Sequence, residues 1–150
     1  MLKARDIMTP EVITVSPQTT IGEVAKLLDR HRLSGLPVVD EAGRLVGVIT
    51  QSDLVERARD LELPPGINLL EIHVFLESPH HLLKRLEKML GATVEQVMTP
   101  KPYTISPDTP VSEIAALMER KKVHTLPVLE DGKLVGIVGK IDVIRALVRP

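Results

Sequence analysis

Two short segments carry the residues best suited to chemistry. Thr50 and Asp53 stand three apart, where the apolar run Leu45 to Ile49 gives way to a helical pattern. Gly139 and Asp142 keep the same spacing after Leu134 to Val138. A strand feeding a helix through a tight junction presents unpaired amides at the positive end of the helix dipole, a setting that holds anions and sugars. An aspartate there can accept two hydrogen bonds from vicinal ribose hydroxyls, and a threonine hydroxyl with nearby amides can donate to a phosphate. The same residues have a purely structural use. Threonine with an acidic residue three positions on forms a capping box, and glycine is itself a tolerable N-cap. Both uses stay open at this level.

The elements that position these residues occur twice. Met8 to Glu41 aligns with Met98 to Asp131 without a gap, and Gly43 to Val55 aligns with Gly132 to Ile144 after one deletion at Ala42. The chain is an internal duplication of a unit of roughly 55 residues. One such unit buries too little apolar surface to be stable alone, so the two are expected to share a core across a pseudo-twofold axis. The sequence divides into a first repeat over 1–60, an insertion over 61–91 with a helix near 79–90, and a second repeat over 92–150.

Each repeat reads as strand, helix, strand, strand, helix, an α+β fold whose small sheets pack together. Val12 to Val15 and Tyr103 to Ile105 read as brief strands, each ended by Ser-Pro, and Pro17 and Pro107 confine them to an edge or a strap over the core. Ile21, Val24, Leu27 and Leu28 recur at helical spacing, as do Val111, Ile114, Leu117 and Met118. Thr109 before Pro110 predicts an N-cap with proline at the first helical position, and Thr19 and Thr20 hold the matching place. Polar turns ending in Gly43 and Gly132 predict hairpins joining the two later strands. Helices then begin near Ser52 and Ile141. In the insertion, Pro64-Pro65-Gly66 stops the first repeat's last helix. Ser78-Pro79 opens another helix, carrying Leu82, Leu83, Leu86, Met89 and Leu90 on one side and stopping at Gly91.

Composition excludes several functions. Cysteine is absent, which removes disulfides, thiol catalysis and thiolate metal sites. Apolar residues make up 43% of the chain, yet Tyr103 and Phe75 are its only aromatic rings, so the core is aliphatic and offers no stacking platform. With a net charge of −1 and mixed signs, a nucleic-acid partner is not expected. No stretch approaches the length of a membrane span and no secretory leader is visible, so the expectation is a cytoplasmic protein. The histidines (His31, His73, His80, His81 and His124) show no metal-ligand spacing, no serine sits in a nucleophile elbow, and no phosphate-binding Walker loop is present. An enzyme is not expected. The apolar positions Leu54, Val55 and Ala58, beside Val143, Ile144 and Leu147, exceed what a solvated helix requires and predict a homodimer through these helices.

Taken together, Met8-Thr9-Pro10, Ser34-Gly35-Leu36-Pro37-Val38-Val39 and Gly47 to Asp53 resemble the hallmarks of CBS domains. So do Met98-Thr99-Pro100, Leu126-Pro127-Val128 and Gly136 to Asp142. The whole is similar to a tandem CBS pair, the Bateman module, over about three-quarters of the chain. The resemblance implies clefts between the repeats that bind an adenine nucleotide (AMP, ADP or ATP, with S-adenosylmethionine or NAD less favoured). It also implies control of a separate effector protein or of self-assembly, since the last helix runs out at Leu147 to Pro150.

Carried over by residue, Asp53 and Asp142 match the ribose-binding aspartate, and Thr50 the phosphate-contacting hydroxyl. Leu36, Pro37, Leu126 and Pro127 match the edge of the base pocket, with Thr14, Ser34, Gly35, Thr104 and Thr125 alongside. Gly139 departs from the family pattern: phosphate contact in its cleft falls to backbone amides or to Lys140. No metal and no obligatory cofactor is implied. A ligand-independent dimerisation or interaction scaffold is the competing expectation.

Overall fold

The computed structural model describes residues 1–59 and 87–148. The expectations for the insertion fall outside these residues, except that 87–91 are helical and end at Gly91. The chain opens with a single helical turn, α1 (Ala4–Ile7), followed by α2 (Ile21–His31), a hairpin of β1 (Gly35–Val39) and β2 (Leu45–Thr50), and α3 (Gln51–Ala58). The second half repeats the order with α4 (Val94–Val97), β3 (Thr99–Pro100), α5 (Val111–Lys121), β4 (Thr125–Glu130), β5 (Lys133–Gly139) and α6 (Lys140–Val148).

The two hairpins are antiparallel, and their registers explain why the chemistry converges. Gly35 pairs with Thr50 and Thr125 pairs with Gly139, so the start of each hairpin lies directly across from the junction at its end. The turns differ by the single deletion. Asp131 and Gly132 both take positive φ, 52° and 78°, as a two-residue type I′ turn demands. The longer first turn needs only Gly43 at φ 81°, and Asp40 ties it down by accepting from the amides of Ala42 and Arg44.

α2 and α5 bury much of the stripe that their spacing predicts, with Leu27, Val111 and Leu117 only partly buried against the same cores. Ile21, Val24 and Leu28 are buried on one, Ile114 and Met118 on the other. Thr20 caps α2 by accepting from the amide of Glu23. The expected cap at Thr109 is corrected: Pro110 holds the N-cap position of α5, and Thr109 Oγ1 accepts from the amide of Ser106 at 3.0 Å instead. Thr19 does the same for Ser16. The hydroxyl closes the Ser-Pro turn, which leaves it unavailable to the helix.

The opening strand of each repeat is also reduced. Val15 and Ile105 each form one parallel bridge, to Val38 and Val128. The amide of Val15 donates to Pro37 O, and Val15 O accepts from Val39 N. Ile105 behaves likewise toward Pro127 and Leu129. The pairing stops there because Pro17 and Pro107 follow at once and have no N–H to continue it.

The segments ahead of these straps cross over. β3 pairs with β2 through Gly47↔Pro100 and Val48↔Thr99, so a piece of the second repeat completes the first repeat's sheet. In return Thr9 bridges Ile137 on β5. The packing is exchanged in the same way. Ala92, Val94, Val97 and Met98 join the core around α2 and the first hairpin, whereas Ala4, Ile7 and Met8 join the core around α5 and the second.

Glycine permits the close approach. A Cβ at Gly47 would lie 2.6 Å from Met98 Sδ, and one at Gly136 would lie 2.5 Å from Met8 Sδ. A strand glycine often marks such a site, where another chain segment comes near the backbone.

The exchanged N-terminus is also pinned by charge. Arg5 and Lys3 both reach Asp108, whose carboxyl lies below the usual carboxylate range, chiefly through the hydrogen bond from Arg5 and then its charge. A depressed carboxylate pKa contributes stability above its unfolded value, and that contribution is lost as pH falls through the folded value. Asp108→Asn should therefore lower the melting temperature at pH 7, with the difference from wild type closing below about pH 4. These side chains are about half exposed or more, so the difference should be small and should shrink further in high salt. Melting curves across pH and salt check both.

Candidate functional site

At the first junction the capping box is fully formed. The Thr50 amide donates to Asp53 Oδ2 at 2.9 Å, the Thr50 hydroxyl donates to the same oxygen at 3.1 Å, and the Asp53 amide donates back to Thr50 Oγ1 at 3.3 Å. At the second junction the Gly139 amide donates to Asp142 Oδ2 at 2.7 Å. The structural use of these residues is therefore real. It occupies one carboxylate oxygen of each aspartate, and the other, Oδ1, makes no hydrogen bond among the described residues. The next amides are also engaged: Gln51 N donates to Ser34 O and Lys140 N donates to His124 O.

Each aspartate opens onto a cleft built from both halves. The first cleft, about 230 Å³, takes Val48, Thr50 and Asp53 from one half. The other half supplies Lys101, Pro102, Tyr103 and the run Lys122 to Leu126. The second, about 420 Å³, takes Gly139, Ile141, Asp142 and Arg145 from the second half. Facing them are Glu11, Val12, Ile13 and the run His31 to Leu36. The exchange in the fold thus carries through to the site, since Leu36 walls the Gly139 cleft and Leu126 walls the Thr50 cleft.

Ser34 and Thr125 line both clefts, and their hydroxyls meet at 2.8 Å to form the partition between them. The contact is close enough to require Gly35, where a Cβ would sit 2.9 Å from Thr125 Oγ1.

Of the residues singled out from sequence, Ser34, Gly35, Leu36, Thr50, Asp53, Thr125, Leu126, Gly139 and Asp142 line these two clefts. Thr14, Pro37, Thr104, Pro127 and Lys140 do not. Pro37 and Pro127 are fully buried in mid-strand, opposite Val48 and Ile137. Thr104 faces a separate open groove beside α5. Lys140 is exposed at the start of α6. The junction amides offered as the alternative phosphate contact in that cleft, Gly139 N and Lys140 N, already donate internally.

Sequence reading missed the charged lining, Glu11, Arg32, Lys101, Lys122 and Arg145. A signal was present for four of them. Glu11 and Lys101 each follow a Met-Thr-Pro, and Arg32 and Lys122 each follow the repeat's first helix. His31 lines one cleft and His124 the other, and no group of metal-ligating side chains occurs among the described residues. None of the helices in the described residues is long and apolar enough to cross a membrane.

A duplicated α+β unit whose halves exchange segments, with an aspartate at the start of a helix in each of two facing clefts, defines a paired-repeat module. The CBS domain family matches at residues 4–60 and 94–149, and the chain belongs to that family. The Methanocaldococcus jannaschii protein MJ1426 is 32% identical over 152 residues, covering 96% of this chain and 90% of that one. The solved structure of CBSX2 in complex with AMP superposes with a TM-score of 0.72 at 30% identity, over 99% of this chain and 98% of that one. The CBS domain pair of MJ0100, in complex with 5′-methylthioadenosine and S-adenosyl-L-methionine, superposes with a TM-score of 0.71 at 29% identity, over 98% and 96%.

Proposed function

We propose that the chain is a regulatory ligand sensor rather than an enzyme. It binds an adenine nucleotide (AMP, ADP or ATP), or less favourably an adenosyl compound such as S-adenosylmethionine or NAD, in the two inter-repeat clefts. One observation carries this reading: each cleft presents, from one half, an aspartate whose Oδ1 makes no hydrogen bond among the described residues, against apolar walls from the other half. A ligand bridging both halves changes their relative preference, which is how occupancy becomes a signal to a separate effector or to self-assembly. The ligands named for the CBSX2 and MJ0100 structures support the adenosyl class. The matching compartment is one with a free adenine nucleotide pool, the cytoplasm.

The test is a thermal scan against AMP, ADP, ATP, NAD and S-adenosylmethionine. A true ligand at one hundred times its Kd stabilises by about 2.7 kcal/mol, which for a chain of this size raises the melting temperature by roughly 5–10 °C. A flat response to every compound would leave the competing reading, a ligand-independent dimerisation scaffold, which the complete capping box at Thr50 favours.

Assembly as a homodimer belongs to the same proposal. Val55, Ile141, Ile144, Leu147 and Val148 are all exposed, at 70, 53, 44, 79 and 75%. Val143, expected on this face, instead packs in the second core at 8% exposure. Sedimentation at micromolar protein should show a dimer that Leu147→Glu shifts to monomer. Monomer alone in the wild type would end the dimer reading.

A further inference from the structure

We propose that Lys101 and Glu11 sort ligands by charge between the two clefts. The Lys101 cleft takes a phosphorylated adenine nucleoside, and the Glu11 cleft takes an uncharged one. The proposal rests on the nucleotide reading above and goes further by naming what each cleft prefers and which side chain decides it.

The two residues are equivalent, each following a Met-Thr-Pro and each lining the cleft whose aspartate comes from the other half. Their signs are opposite. Around the Thr50 cleft stand Lys101 and Lys122, the latter paired with Glu119 at 3.5 Å, so that Lys101 is the free cation facing the carboxylate of Asp53 among the described residues. Around the Gly139 cleft two arginines, Arg32 and Arg145, are matched by two carboxylates, Glu11 and Asp142. Within the described residues neither Lys101 nor Glu11 has an ion-pair partner within 4.0 Å. Their fields therefore act on whatever enters.

Three further observations support placing the discrimination on these side chains. The junction groups that ordinarily hold an anion are already engaged: the Thr50 hydroxyl and amide donate to Asp53, Gly139 N donates to Asp142, and the next amide of each helix donates to a backbone carbonyl. A phosphate must then be met by charge at the cleft wall. Lys101 is also held at φ 51°, a conformation that L-residues rarely adopt and that clusters at ligand sites, whereas Glu11 is not. The smaller volume of the Lys101 cleft, about 230 Å³ against 420 Å³, falls below the usual range for a whole ligand. A phosphate on a ligand held there would lie at the exposed rim, where Lys101 stands.

The experiment is calorimetry of adenosine and AMP on the full chain, in Asp142→Ala and Asp53→Ala backgrounds that leave one cleft each. With the Lys101 cleft isolated, Lys101→Glu should reduce the AMP-to-adenosine affinity ratio about tenfold. With the other isolated, Glu11→Lys should raise it about tenfold. Both changes should largely vanish at 1 M salt, where screening acts within about 3 Å. Should Lys101→Glu prove unstable, Lys101→Met should still lower the ratio about threefold. Ratios that stay constant while both ligands bind would overturn the sorting and leave the nucleotide reading standing. A wild-type chain that binds neither ligand would overturn both.

Discussion

Asp53→Ala and Asp142→Ala should each abolish one of two nucleotide-binding events, with affinity at the altered cleft falling about a hundredfold. A carboxylate oxygen accepting from a ribose hydroxyl forms a charge-assisted bond worth about 1.5–3 kcal/mol, and loss of the charge leaves the sugar unpaired at the cleft wall. The same substitutions remove a helix cap, which costs about 1 kcal/mol of stability whether or not a ligand exists. Asparagine separates the two effects. Asp53→Asn keeps an acceptor for the Thr50 amide and so preserves the cap, but it gives up the charge. Calorimetry should show binding at that cleft weakened well beyond any shift in melting temperature. Binding that survives both alanine variants would leave Asp53 and Asp142 as caps alone. The phosphate increment, AMP over adenosine, should be larger in the Asp142→Ala protein, which keeps the Thr50 cleft. Thr50→Val in that background reports whether the hydroxyl leaves Asp53 to serve the phosphate.

Removing residues 1–8 should destabilise the half of the molecule to which they are not covalently nearest. Ala4 is fully buried, and together with Ile7 and Met8 it packs on α5 and the β4–β5 hairpin. Stripping these side chains opens the second core, at a cost on the order of 4 kcal/mol, a large fraction of the stability of a domain this size. Hydrogen exchange should show early loss of protection in β4 and β5 and retained protection in β1 and β2. Met98→Ala should give the reciprocal pattern, because Met98 lies over Gly47 as Met8 lies over Gly136. Equal loss in both hairpins after truncation would mean that the two cores unfold as one unit.

The sequence by itself determined the duplication, the two hairpins with their glycine turns, the buried stripes of α2 and α5, and the strand-to-helix junctions with their aspartates. All of these are local. Periodicity of 3.6 or 2, a residue able to hold positive φ, and a cap three positions from its partner are settled within a few neighbours, so the residue types alone reveal them. Where a local rule misled, a competing local contact was the reason. Thr109 serves the Ser-Pro turn rather than α5, and Val12 to Val15 shrank to one bridge because proline ends the pairing.

Only the tertiary structure decided what belongs to which cleft. Each Met-Thr-Pro segment crosses to the opposite hairpin, which brings Lys101 to Asp53 and Glu11 to Asp142. No repeat read alone contains that pairing, since it depends on contacts between residues far apart in the chain. Val143 packs in the second core beside the exchanged Ala4, Ile7 and Met8. Ser34 meets Thr125 at the partition, 91 residues away in the chain. Composition reports a nearly balanced net charge, but the sign that a ligand meets in each cleft follows from which side chains the crossed packing brings together, because exposed charges are screened beyond about 8–10 Å at physiological salt.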